Sequence, residues 1–290
     1  MKAQPDCLPC MLRASLTAAR LAGAGEETQW TIVCEVAKLL IETLPGRAPI
    51  EVSPAAQRIV RRHSGVADPF AAAKREANRE LLRLLPELRA AARGSPDPLA
   101  FLLRLAAAGN AVDLGAQAGY RLAEVTQPGR WGRFDYPAFL DHLEVAEQVL
   151  LIADNAGEIA LDRLLCEELA RRGKRVAVAV RAAPTLNDAT LADAEEVGLL
   201  QVAEVITTGQ DHPGAFLPAA SPEFVAAFRR AGLVVAKGMG NFEGLSEEVG
   251  PLFFLLKAKC APVARALGVE VGELVLAGPG LTRPAEPGQS

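Results

Sequence analysis

No run of about 18 consecutive apolar residues occurs in the 290-residue chain, so no membrane-spanning helix is expected. Residues Met1-Lys2-Ala3-Gln4-Pro5-Asp6 lack an apolar signal core, and a cytoplasmic location is expected. Cysteine is scarce and odd in number, at five, which argues against a disulfide scaffold. Histidine is rarer, at three, and His212 has no neighbouring Cys or His with which to build a nitrogen–sulfur metal site. Basic residues are not in excess. With 31 Lys+Arg against 35 Asp+Glu the net charge is −4, which argues against a nucleic-acid or anionic-membrane partner. Several motifs are also missing. No G-x-G-x-x-G follows a strand and no G-x-x-x-x-G-K-[ST] occurs, which weakens dinucleotide and P-loop readings. The absence of G-x-S-x-G and H-E-x-x-H weakens serine-hydrolase and zinc-peptidase readings.

What is present has ordinary globular composition, half hydrophobic and 23% charged. Two halves follow different patterns. Residues 1–145 read as a helical domain. Apolar residues recur at three- and four-residue spacing over 13–22 and 28–44. Ser53-Pro54, Asp68-Pro69 and Ser95-Pro96-Asp97-Pro98 look like helix starts. No alternating strand pattern stands out there. Residues 146–290 alternate short apolar runs (149–153, 176–180, 202–206, 233–236 and 274–277) with helical stretches at 159–172, 222–231 and 249–267. That alternation predicts an α/β, Rossmann-like, mainly parallel sheet flanked by helices.

In such sheets ligands bind beyond the C-terminal ends of the strands. The first run ends in Asp154-Asn155-Ala156-Gly157-Glu158. An adjacent carboxylate and amide carbonyl are hard oxygen ligands suited to Mg²⁺ or Mn²⁺, and Gly157 lets backbone approach a ligand. A plain helix cap is the competing explanation. The next run ends in Arg181, with Asp188 following. Asp188 can bring a second carboxylate, and Arg181 can grip a phosphate through paired hydrogen bonds. The 233–236 run ends in Lys237-Gly238-Met239-Gly240-Asn241-Phe242-Glu243. A lysine there is costly to bury without an anion, and Gly238, Asn241 and Glu243 can line a substrate. Oxygen ligands beside Arg and Lys describe a metal-bound phosphate site.

These stretches resemble the metal-dependent damage-control phosphatase family, first catalogued as domain of unknown function 89. Asp68-Pro69-Phe70 with Lys74 and Asn78, Ala108-Gly109-Asn110-Ala111-Val112-Asp113, Asn187-Asp188-Ala189-Thr190 and Lys259-Cys260-Ala261-Pro262 fit it too. The resemblance implies hydrolysis of phosphate monoesters of small metabolites, including sugar phosphates and damaged phosphometabolites. It implies one divalent metal (Mn²⁺, Co²⁺, Ni²⁺ or Mg²⁺) on Asp154, Asn155 and Asp188. It also implies a phosphate contact from Lys237, and closure of the site by Asn110 and Asp113. Cys7-x-x-Cys10 resembles the mark of a mostly archaeal and bacterial subgroup. The chain lacks the Arg-Thr-x-Lys motif of another subgroup, so the carboxyl-methyltransferase activity claimed for some relatives is not carried over to it.

Two attacking groups fit this expectation: a metal-activated water, or Asp154 forming an aspartyl-phosphate. A non-catalytic phosphometabolite sensor and a transferase on a Rossmann-like sheet are the alternative functions. Cys7 and Cys10, at i and i+3, share one helix face. They can pack, bind a second metal with outside help, or cycle as a redox pair.

Overall fold

The structure, a computed structural model, describes residues 1–109 and 129–279. Its seven strands form one sheet in the order β1-β7-β6-β5-β2-β3-β4. They are β1 (Trp131–Phe134), β2 (Gln148–Ile152), β3 (Arg175–Val180), β4 (Glu204–Thr207), β5 (Leu233–Lys237), β6 (Leu252–Lys257) and β7 (Leu274–Ala277). Every pairing is parallel except β6 with β7.

Side chains alternate across this sheet, and each face has its own core. On one face, Val149, Leu151, Val178, Val235, Phe253 and Leu255 pack under α4 (Ala71–Gly94), α5 (Pro98–Gly109), α6 (Tyr136–Val145) and α7 (Ile159–Arg171). On the other, Leu150, Ile152, Ala179, Val234 and Phe254 meet α9 (Pro222–Arg230), α10 (Gly238–Leu245) and α11 (Ala261–Leu267). Each fully buried side chain of this size stabilises the fold by about 1.5–3 kcal/mol. The short α8 (Leu191–Glu196) follows β3.

The first three helices, α1 (Cys7–Leu21), α2 (Glu26–Thr43) and α3 (Pro49–Ser64), share a separate apolar cluster around Ile32, Val36, Leu40 and Val60. They sit over the strand tips. Arg61 on α3 donates to Pro184 O at 3.1 Å and to Asp211 Oδ2 at 3.2 Å, both beyond the sheet's C-terminal edge.

Three expectations are corrected. Strand content begins before residue 146, because β1 is the sheet's edge partner of β7. The stretch 249–267 is not one helix. Leu252-Phe253-Phe254-Leu255-Leu256 is buried on both sides as β6, and only Ala261–Leu267 is helical. The third helix starts at Pro49, which leaves Pro54 inside its first turns. No helix among the described residues is long and apolar enough to cross a membrane.

Candidate active site

From β2 the chain steps to β3 and β4 on one side, then crosses back to β5 on β2's other side. The gap beyond β2 and β5 is therefore the sheet's topological switch point, the usual ligand crevice of open α/β sheets. Asp154 lies two residues past β2, and Gly238 directly follows β5.

Backbone bonds lock the two loops there together. Ala189 N donates to Asp154 O (2.8 Å) and Ala156 N to Asn187 O (2.9 Å), while Asn155 and Asp188 form an isolated bridge. The second loop is tight: Asp188 N reaches back to Thr185 O at 3.1 Å, and Leu186 takes φ 45°. Leu186 is the one non-glycine residue with positive φ among the described residues, a backbone strain of the kind that collects at ligand sites.

The side chains form two layers. In the outer layer, Asp154, Asn155 and Asp188 line a cavity of about 250 Å³. Asn155 Nδ2 donates to Asp154 Oδ2 (2.8 Å) and to Glu158 Oε2 (3.1 Å). Burial, then the nearby Glu158 and Asp188, push the Asp154 carboxyl up to about 7. Burial raises Asp188 as well, against the pull of Arg181.

Beneath lies a buried layer of charged braces. Arg181 donates through Nε to Asp188 Oδ2 (2.7 Å) and through a terminal nitrogen to Ala153 O (3.0 Å). Lys237 Nζ is held by Glu158 Oε1 (2.9 Å) and Asp162 Oδ1 (2.7 Å), and all three side chains are fully buried. Burial opposes that ammonium, but Asp162 and Glu158 outweigh it and hold Lys237 above its ordinary range. Asn241 Nδ2 donates to Lys237 O (2.6 Å) and Ala153 O (3.1 Å), and its Oδ1 accepts from Ala215 N (2.7 Å). Helix α4 closes the back. Asn78 Oδ1 accepts from Gly157 N at 2.6 Å, Gly157 having φ 82°, and Asn78 Nδ2 donates to Asp193 Oδ1 (3.1 Å) on α8.

Of the expected residues, Asp154, Asn155, Asp188, Glu243, Cys7 and Cys10 line the cavity. Arg181, Lys237, Gly157, Glu158, Gly238 and Asn241 stand behind it. Neither Lys237 nor Arg181 lines the cavity: Lys237 is held by Glu158 and Asp162, and Arg181 by Asp188 through Nε, its Nη1 being buried with no hydrogen-bond partner among the described residues. Gly238 has φ 75°, and a Cβ there would collide with the Asp154 carboxylate. Asn110 and Asp113 lie outside the described residues.

The cavity also has residues that sequence reasoning did not assign to the site. Lys259, exposed at the tip of β6, lines it and draws the Asp154 carboxyl downward. Reading β6 as a strand would have exposed Lys259 as a tip residue. Met11 of α1 and Ile50, Ser53 and Gln57 of α3 form the roof. Asp162 was signalled by its spacing, one helical turn after Glu158.

The structure thus sets paired carboxylates beyond the strand tips of a mostly parallel α/β sheet, under a helical roof. The chain belongs to the damage-control phosphatase ARMT1-like domain family, whose model matches residues 3–275. It is 34% identical over 290 residues to an uncharacterized protein of Methanocaldococcus jannaschii, covering 95% of each chain. A damage-control phosphatase of Archaeoglobus fulgidus is 34% identical over 285 residues, covering 95% of this chain and 98% of that protein. The crystal structure of a DUF89 family protein from Pyrococcus horikoshii superposes with a TM-score of 0.88 at 30% identity, covering 97% of this chain and 100% of that one.

Proposed function

We propose that the protein is a cytoplasmic, divalent-cation-dependent phosphatase of small phosphorylated metabolites. The observation that carries this reading is the buried meeting of Asp154 and Asp188 on the floor of one cavity. The phosphatase-named relative from Archaeoglobus fulgidus supports the reaction class.

Among the described residues, no group of three or more His, Cys, Asp and Glu side chains stands at metal-ligand spacing. The ligand set considered is different: two carboxylates and an amide. It suits a hard cation, because burial and then crowding with Glu158 and Asp188 push Asp154 toward neutrality, and a bound cation would relieve both. Asp154, Asn155 and Asp188 would hold it. When bound, Mn²⁺, Co²⁺, Ni²⁺ or Mg²⁺ supplies Lewis-acid polarisation of the phosphate and neutralises the charge that develops as the ester breaks.

The chain's own groups do the rest. Lys259 meets a non-bridging phosphate oxygen. Met239 and Gly240, in the first turn of α10, line the cavity and offer the positive end of that helix to the same anion. Arg181 fixes the Asp188 carboxylate, and the Lys237–Glu158–Asp162 cluster fixes Asn155 through Glu158, so the donors are preorganised. Attack comes from a water or from Asp154 itself, and trapping a phosphoryl adduct on Asp154 distinguishes the two.

The test is phosphate release from p-nitrophenyl phosphate with each cation. Wild type turns over and Asp188→Ala does not. Full activity in Asp188→Ala removes that residue from the site. Binding of phosphate esters without turnover by wild type favours a sensor.

A further inference from the structure

Helix α3 lays one face along the roof of the cavity. Pro49, Ile50, Ser53, Ala56 and Gln57 recur at three- and four-residue spacing, and all of them line it. That face is fixed to the α/β layer at two points. Near its start Ile50 packs on Gly244 of α10, where a Cβ would stand 3.0 Å from Ile50 Cδ1. One turn past Gln57, Arg61 donates to Pro184 O at 3.1 Å. Pro184 leads into Leu186-Asn187-Asp188, which line the same cavity, so Ser53 and Gln57 are held above the loop that carries Asp188.

Ser53 and Gln57 are only 8% and 4% exposed, yet neither the Ser53 hydroxyl nor the Gln57 amide has a hydrogen-bond partner among the described residues. Their polar atoms are not sealed in either, and in residues this buried the remaining open surface faces the cavity they line. Ser15 of α1, another buried serine of the lining, differs: its hydroxyl donates to Met11 O at 3.0 Å. Buried polar groups are as a rule hydrogen-bonded, and a group stripped of most of its water without a partner costs free energy. A ligand that supplies the partner recovers that cost, and one that fills the cavity with alkyl surface adds to it. The chemistry of the pair defines the partner. The amide offers one acceptor oxygen and two N–H donors, the serine hydroxyl donates and accepts, and neither is charged. A hydroxyl group, which also donates and accepts, satisfies both.

We propose that Ser53 and Gln57 are specificity residues that hydrogen-bond a hydroxyl on the organic half of the phosphate ester, so that the leaving group is selected by the helical roof while the strand tips hold the phosphate. This rests on the phosphatase reading above. Asp154 and Asp188 form the floor, and α3 crosses over them with its two unpartnered polar side chains facing in. The volume, about 250 Å³, holds only a small organic half, which leaves its substituents against the roof.

The experiment compares sn-glycerol 3-phosphate with n-propyl phosphate, the same three-carbon ester with and without hydroxyls, by phosphate release with Mn²⁺, Co²⁺, Ni²⁺ or Mg²⁺ added. Wild type prefers the hydroxylated ester in kcat/KM by about tenfold or more. Gln57→Met keeps the length of the side chain, removes its hydrogen bonds and lowers that preference by about tenfold, and Ser53→Ala lowers it by about threefold or more. Differences in the intrinsic reactivity of the two esters cancel when the ratio is compared between proteins. A loss in Gln57→Met that falls equally on both esters shows a packing role alone and overturns the proposal. Calorimetric binding to wild type of 3,4-dihydroxybutylphosphonate and butylphosphonate needs neither turnover nor a variant. The dihydroxy compound binds tighter by about tenfold, and equal binding overturns the pair. Equal use of both esters by wild type also overturns the pair and leaves the phosphatase reading standing. Failure of wild type to hydrolyse either ester with any cation overturns the phosphatase reading, and the phosphonates then decide the pair alone.

Discussion

Gly238→Ala is the sharpest probe of the candidate site, because two independent costs fall on one methyl group. The backbone at Gly238 has φ 75°, a left-handed conformation that costs a residue with a Cβ about 1–2 kcal/mol. That strain lowers Tm by about 2–8 °C for a chain of this size. The methyl would also stand 2.8 Å from Asp154 Oδ1, and nearer still to Cγ and Oδ2. The carboxylate must then move by on the order of 1 Å, a displacement that costs about a hundredfold in rate at a catalytic centre. The assay is a four-protein cycle of wild type, Gly238→Ala, Asp154→Ala and the double variant, read by thermal melting and by kcat/KM on p-nitrophenyl phosphate. Asp154→Ala removes the collision, so Gly238→Ala then costs only its backbone strain. The coupling falls in the range of about 0.5–3 kcal/mol for touching residues. A folded Gly238→Ala protein with wild-type kcat/KM refutes the reasoning. So does an identical Tm loss in both backgrounds, which would mean that Gly238 serves the turn alone.

Lys237→Met leaves Glu158 and Asp162 buried without their cation and destabilises the protein by about 3–5 kcal/mol, seen in denaturant unfolding. A raised KM with unchanged stability would instead restore Lys237 as a phosphate contact. Glu168 sits below the usual carboxylate range because Arg171 and then Arg172 donate to it. A lowered folded pKa stabilises above the unfolded value of about 4.3 and is lost as pH falls through it, so Glu168→Gln melts below wild type at neutral pH and the gap closes on acidification. A gap that persists in acid would show that packing, not charge, was lost. Mn²⁺ at about a hundred times its Kd stabilises wild type by about 2.7 kcal/mol in thermal melts, and leaves Asp188→Ala unmoved. An equal shift in both proteins places the cation elsewhere.

The strands that the sequence made visible are those buried on both faces, where continuous apolar runs such as 149–153 and 233–236 have no other use. The first strand escaped notice because it is a short edge strand whose Gly132 is exposed. The sixth escaped because Leu252–Lys257 runs close to a true helix, and an apolar run has no period to mark where one ends. The cavity-lining carboxylates were legible for a topological reason: Asp154 comes two residues after β2, and Asp188 lies in the loop that leaves β3, so both could be placed beyond the strand tips by position. The roles of Lys237 and Arg181 were not legible. Residues at strand ends face opposite sides of the sheet in turn, and only the three-dimensional neighbours show whether a cation faces the cavity or a buried carboxylate. Glu158, the N-cap of α7, and Asp162, one turn further on, were the available hint that Lys237 already had its anions. The roof was further out of reach, since Cys10 and Asp154 are brought together by tertiary packing across about half the chain. Among the described residues, Lys237 is held by Glu158 and Asp162 and does not line the cavity, the α1 cysteines do, and Lys259 is the one Lys or Arg in its lining.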